Sequence, residues 1–260
     1  MMNPVGTDGT KSLSSPRNEC FGKNVNRIIR KDSLSGLYFF SEKYHKHDPR
    51  YGNLSLLTDF PSTTIKPYWK TKESWNGLRD FWYDFEDGEF EEKEWVPSEE
   101  GFTYNGTVGV KGEISPGQEI RVNFYLSWYF PWIENYWGIN KEVKGKILKN
   151  YYSEKFSSSL EVIEYYMENR EYLEEKSRKF AESFFSSDLP LSILNAVSSQ
   201  LSILKSNTIF RTSDGNLYGF EGCSDNAGCC PLNCTHVWNY EQGLAFLFPS
   251  LERSMRQVDY

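Results

Sequence analysis

Among the acidic side chains of this sequence, Glu221 stands in a setting that suits covalent chemistry. It lies between Phe220 and Gly222, just after a run that reads as a β-hairpin. The glycine lets a ligand come close to the backbone. Tyr218, Phe220 and Trp238 are near enough in sequence to wall a sugar ring. A carboxylate so placed could be one of the two that flank a glycosidic bond, which lie about 5–5.5 Å apart in retaining hydrolysis. On residues alone, the commoner role of such a glutamate is an exposed loop carboxylate. Other acids, such as Glu171, Glu174 and Glu175, fall on solvated helix faces.

A second cluster competes for attention. Cys223, Cys229, Cys230 and Cys234 crowd into one loop ahead of His236. Thiolates and imidazole are zinc ligands, but the spacing lacks the paired Cys-x2-Cys array of a structural zinc site. The commoner explanation is a reduced loop with tight turns, and no metal or cofactor is expected. Positions 236 and 241 differ by about 140° on a helix, so His236 and Glu241 share no face. His236 fits a contact to a substrate hydroxyl, or a residue that pins the loop, better than a catalytic base. His45 and His47 flank Lys46 in a basic turn and need no function.

The elements around these residues change character along the chain. The first half reads as β structure. Runs at 36–40, 53–57 and 106–112 are bounded by turn residues. The run 119–128 alternates, so that Ile120, Val122, Phe124 and Leu126 share one sheet face. Residues 73–88 are aromatic and acidic, a short helix or a loop, with Trp75, Phe81, Trp82 and Phe85 expected in the core. Residues 132–150 read as a linker. Helical periodicity then runs from Tyr151 to Phe185, with a break expected near Glu168-Asn169, and resumes from Leu191 to Lys205. A hairpin is expected over 208–220, with Asp214-Gly215 at its turn. A last helix is expected from about Thr235 to Arg256, with Val237, Tyr240, Leu244, Leu247, Phe248 and Leu251 as its buried face. Pro249 should kink it or end its first half. The order predicts an α+β arrangement: 1–131 as a β domain, 132–150 as linker and 151–260 as helical domain.

Bulk properties narrow the partners. The 260 residues carry 36 acidic against 29 basic side chains, a net charge of −7, which disfavours nucleic acid and anionic membrane surfaces. No apolar run is long enough to span a bilayer. The polar, Gly/Ser-rich start, residues 1–15, lacks the apolar block of a signal peptide, so a cytoplasmic location is expected. The sequons at Asn53, Asn105 and Asn233 then carry little weight. The odd total of five cysteines, four in one loop, also fits a reducing compartment.

The run from Phe210-Arg211-Thr212 through Asp214-Gly215-Asn216 to Leu217-Tyr218-Gly219-Phe220-Glu221-Gly222 resembles the segment before the first active-site loop of glycoside hydrolase family 116. The stretch from Asn226 through Cys229-Cys230-Pro231 and Cys234-Thr235-His236-Val237-Trp238-Asn239-Tyr240-Glu241 is similar to that loop, and 244–256 to the helix after it. Looser similarity covers 111–130, 173–204 and 75–88. This is the family of non-lysosomal glucosylceramidases and β-glucosidases. The resemblance implies the later part of an N-terminal β-sandwich followed by the first helices of an incomplete (α/α)6 barrel. It implies that Glu221 is the nucleophile of a retaining β-glucosidase, with His236, Trp238 and Tyr218 contacting a β-glucoside or glucosylceramide-like substrate. The family acid/base is an Asp that no residue here matches, so the chain alone is expected to be inactive, with the remainder of the barrel as its natural partner. The alternatives from the residues are a non-catalytic carbohydrate-binding or interaction module and a zinc-stabilised domain.

Overall fold

The computed structural model describes residues 1–7, 17–69, 77–135, 141–206, 208–219, 222–224, 227–228, 233 and 243–258. Contacts divide the chain into two units. The first comprises Met1–Phe130 with Phe156–Glu164; the second comprises Pro131–Lys155 with Tyr165–Tyr260.

The first unit is built on antiparallel strands: β1 (Asn24–Lys31), β2 (Leu34–Ser41), β3 (Asn53–Thr58), β4 (Thr63–Lys66), β5 (Thr107–Val110) and β6 (Phe124–Tyr129), with helix α1 (Gly77–Asp87) between β4 and β5. One sheet has the order β1-β2-β3-β6, and β4 pairs with β5. Side chains alternate across the sheet. The register therefore sets Leu37, opposite Leu56, and Phe39, opposite Leu54, on one face. These pack with Ile65 of β4, Val5 and Val108 into a core in which Leu37, Phe39 and Ile65 are fully buried. Gly36 is required where β2 crosses β3, because a Cβ there would run into the Leu56 carbonyl.

Buried polar groups tie the core's rim. Asn3 Nδ2 reaches Val25 O, Phe40 O and Asn26 Oδ1, and Asn26 Nδ2 donates to Pro67 O at 2.7 Å. The other sheet face receives the start of helix α2 (Ser159–Phe185). Ser159 N donates to Asn53 Oδ1 at 2.7 Å, and Ser127 Oγ donates to Ser159 O at 2.7 Å. Side chains cap the start of that helix. Ser158 Oγ accepts from Glu161 N at 3.2 Å, while the Glu161 carboxylate accepts from Ser157 N at 2.6 Å. The hydrogen bond from the Ser157 hydroxyl, then that from its amide, holds the Glu161 carboxyl below the usual range.

Several expectations change on this evidence. Over 119–128 the strand starts only at Phe124. Phe124, Leu126 and Trp128 do share a face, but they lie on the outermost strand and stay 48%, 51% and 60% exposed. The segment 73–88 contains a helix, yet Trp82 and Phe85 are exposed, not core. Of the four aromatics Phe81 does turn inward, stacking on Trp69 at 5.0 Å beside Asp80 and Asp84, and Trp75 lies outside the described residues. Both carboxylates reach the buried ammonium of Lys66, at 2.9 and 2.5 Å.

In the second unit, 132–150 carries a hairpin of its own, β7 (Trp132–Glu134) with β8 (Ile147–Lys149). A 3-10 turn follows at Tyr151–Glu154. The helix break expected at Glu168-Asn169 is absent: α2 runs unbroken. Asn169 Nδ2 bonds back to Tyr165 O, and Arg170 pairs with Glu174 at 2.8 Å, carrying the helix through that point. Beyond it come α3 (Leu191–Leu201), continued by a 3-10 turn at Ser202–Lys205, then hairpin β9 (Ile209–Arg211) with β10 (Leu217–Gly219), and the short pair β11 (Gly222–Ser224) with β12 (Ala227–Gly228). Two short helices close the described chain, α4 (Gly243–Leu247) and α5 (Pro249–Gln257). Pro249 does end one helix, and it opens the next from its first turn, where a missing N–H costs nothing. Leu244 is buried and Leu251 packs on the same core, whereas Leu247 and Phe248 are exposed. Val237 and Tyr240 lie outside the described residues.

Candidate active site

The expected hairpin over 208–220 forms in register, Arg211 opposite Leu217, Phe210 opposite Tyr218 and Ile209 opposite Gly219. Its turn is held by Asp214, whose carboxylate accepts from the Thr212 hydroxyl and, at 3.1 Å, from Asn216 N. The Thr212 hydroxyl chiefly, helped by Asn216, pulls the Asp214 carboxyl below the ordinary aspartate range. Gly215 takes the left-handed φ of +94° that closes the turn. Arg211 Nε donates to Gly215 O at 3.1 Å, and its guanidinium lies 3.6 Å from the centre of the Tyr151 ring. Ser213 N donates to Lys149 O at 2.9 Å, fastening the turn to β8.

Below the hairpin lies a small core. Leu217, Leu244 and Met255 are buried, and Leu204, Ile209 and Leu251 pack against them. Two hydrogen bonds fix β10 laterally. Leu217 N donates to Ser254 Oγ at 3.1 Å, and Gly219 N donates to Asn233 Oδ1 at 3.4 Å. Asn233 Nδ2 in turn donates to Met255 O at 2.6 Å.

Of the four expected site residues, Tyr218 is described. It is half-buried on β10, its ring 6.5 Å from that of Phe210 and tilted by 33°. Glu221, His236 and Trp238 lie outside the described residues, as do Cys229, Cys230 and Cys234. The described strands β10 and β11 end and begin on either side of the pair 220–221. Among the described residues, no group of three His, Cys, Asp or Glu side chains is placed to hold a metal ion. Nor is any described helix long and apolar enough to cross a membrane.

Asn233, Ser254 and Met255 escaped the sequence reading. Asn233 lies outside the helical and strand periodicities, and nothing local in the sequence marks its amide as a brace. Ser254 and Met255 sit one and two residues beyond Arg253, at positions where helical spacing alone does not separate a brace from a solvated residue.

Residues 1–173 match the family model described as beta-glucosidase 2, glycosyl-hydrolase family 116 N-term. No curated protein matches the chain. The family match takes in every strand of the first unit and ends within α2, ahead of the β9–β10 hairpin. Since it covers 173 of the 260 residues, the chain belongs to glycosyl-hydrolase family 116.

Proposed function

We propose that this glycoside hydrolase chain carries, in Glu221, the nucleophile of a retaining β-glucosidase of the glucosylceramidase type. The observation that supports the reading most is the braced β9–β10 hairpin. Its second strand, tied by side-chain hydrogen bonds, ends two residues before Glu221 in the chain, the kind of support a positioned nucleophile needs. In the reaction, a Glu221 carboxylate oxygen attacks the anomeric carbon and the bond to the aglycone oxygen breaks. That oxygen takes a proton from an acid/base. Water, deprotonated by the same group, then attacks the anomeric carbon and releases Glu221 as carboxylate. Tyr218 and Trp238 supply walls for the sugar, and His236 a hydroxyl contact.

The family's acid/base is an aspartate that none of these 260 residues matches. Leaving-group protonation contributes about 10²–10⁴-fold, so the chain alone does not turn over β-glucosides with poor leaving groups. Exposed apolar side chains on α2 and α3, among them Tyr172, Phe185 and Leu191, support a further layer of helices as the partner that completes an (α/α)6 barrel.

The test uses a substrate that needs no proton. The full 260-residue chain is incubated with 2,4-dinitrophenyl 2-deoxy-2-fluoro-β-glucoside and digested, and the peptides are mapped by mass. A glycosyl ester on Glu221, absent from Glu221→Gln, is the expected result. Label on Glu241 or another carboxylate, or no label at all, refutes the assignment.

A further inference from the structure

Among the described residues no strand lies on the outer edge of β10, yet its amides are not left bare. An edge strand normally presents such groups to solvent or to another chain. Here two side-chain oxygens take them, Ser254 Oγ at Leu217 and Asn233 Oδ1 at Gly219. The two sites differ in reach. Ser254 comes from within α5, so it ties the strand to a helix already packed beneath it. Asn233 accepts from the strand with its oxygen and donates to the Met255 carbonyl with its nitrogen. One buried side chain, 8% exposed, thus joins the strand end to α5. Asparagine can do both at once, through separate atoms of its amide. It also tolerates the φ of +70° found here better than other non-glycine residues do.

We propose that Asn233 is a positioning residue for Glu221, fixing the end of β10 that lies two residues before it in the chain. This rests on the reading of Glu221 as nucleophile. A displacement of about 1 Å in a reacting group can cost about 10²-fold in rate. Gly219, two residues from Glu221, has no side chain of its own with which to anchor the strand end. Its amide offers a handle, and Asn233 holds it.

The experiment has two arms, both on the full 260-residue chain. In the first, amide exchange is followed by NMR in wild type, Asn233→Gly and Ser254→Ala. Glycine keeps the left-handed backbone, so the side chain is removed without adding strain. Gly219 is expected to exchange about tenfold faster in Asn233→Gly, as for a lost net hydrogen bond, and to stay protected in Ser254→Ala. Unchanged Gly219 exchange in Asn233→Gly overturns the proposal. If that variant fails to fold, Ser254→Ala decides: rapid exchange at Gly219 overturns the clamp, and retained protection supports it. In the second arm, inactivation by the dinitrophenyl fluoroglucoside is resolved into a rate constant and a half-saturating concentration. Asn233→Gly should lower the rate constant by about tenfold or more and leave the half-saturating concentration within about twofold. An unchanged rate constant overturns the positioning role. Absence of label on Glu221 in the wild-type chain refutes the nucleophile and the positioning role together, whereas the exchange arm still decides whether Asn233 holds Gly219.

Discussion

Lys66 offers the most demanding check on the packing of the first unit. Its side chain is 3% exposed, and the ammonium lies 2.9 Å from Asp80 and 2.5 Å from Asp84, both on the inner face of α1. At an effective dielectric of about 20 each contact represents roughly 6 kcal/mol of raw attraction, most of it offset by the loss of hydration. Replacing Lys66 by Met keeps the apolar stem and takes from both carboxylates the buried cation they share. Removing one partner of a buried pair costs about 3–5 kcal/mol. Asp80 and Asp84 are 17% and 22% exposed and regain some water, so the low end, about 3 kcal/mol, applies. With a urea slope of about 2 kcal/mol/M, the midpoint should fall by about 1.5 M. Tryptophan fluorescence is a suitable probe because Trp69 stacks on Phe81 of the same helix. The triple variant Lys66→Met, Asp80→Asn, Asp84→Asn should recover most of the loss, since the buried cation and the two carboxylates it holds are then removed together. A midpoint shift below about 0.3 M for Lys66→Met, or a triple variant as unstable as the single one, would refute the reasoning.

Three further outcomes are expected. Asn53→Ala should destabilise the first unit by about 1–3 kcal/mol, because the buried Ser159 amide loses its acceptor; a thermal scan reads this, and a change below about 0.5 kcal/mol contradicts it. Asp214 has a folded pKa below its unfolded one, so its support of the hairpin turn is present above the ordinary aspartate range and is lost as pH falls through the folded value. Asn216 amide protection should drop on acidification in wild type and stay flat with pH in Asp214→Asn; parallel profiles would exclude the carboxylate as the cause. Elemental analysis of the purified chain should find well under one zinc per chain, and a stoichiometric zinc lost on replacing Cys229 and Cys230 would favour a metal-bound loop.

What could be read in advance depended on how local the determinants were. The β9–β10 hairpin was legible because Asp214-Gly215 and the flanking apolar residues lie within a dozen positions and form their turn through neighbours. Pro249 was legible for the same reason. The start of α2 is set by local caps at Ser157, Ser158 and Glu161, whereas the apolar periodicity upstream carries the expected start back to Tyr151. The break expected at Glu168-Asn169 rests on the length of the periodic stretch, and i,i+4 pairs carry the helix through it. The aromatic residues of α1 could not be sorted from sequence. Their side of the helix is decided by Lys66, which pulls Asp80 and Asp84 inward and so turns Trp82 and Phe85 outward. The bracing of β10 by Asn233 and Ser254 spans 14 and 37 residues, and no local pattern announces it.

The order β1-β2-β3-β6 also says something about how the sheet is assembled in time. Its first three strands follow one another through short connections and can zip together early. The fourth must return across a large loop; the bond from Tyr125 to Asp59 already spans 66 residues. Closing such a loop costs about 4 kcal/mol of chain entropy on a simple length scaling, which slows the pairing. Until β6 arrives, β3 presents a bare, largely apolar edge. The arriving segment, Phe124 to Tyr129, is itself an uncharged, aromatic strand former. Two chains caught at that stage can pair with each other in place of themselves. Refolding yield should therefore fall with protein concentration, through a step that belongs to the sheet and not to the hairpin near Glu221.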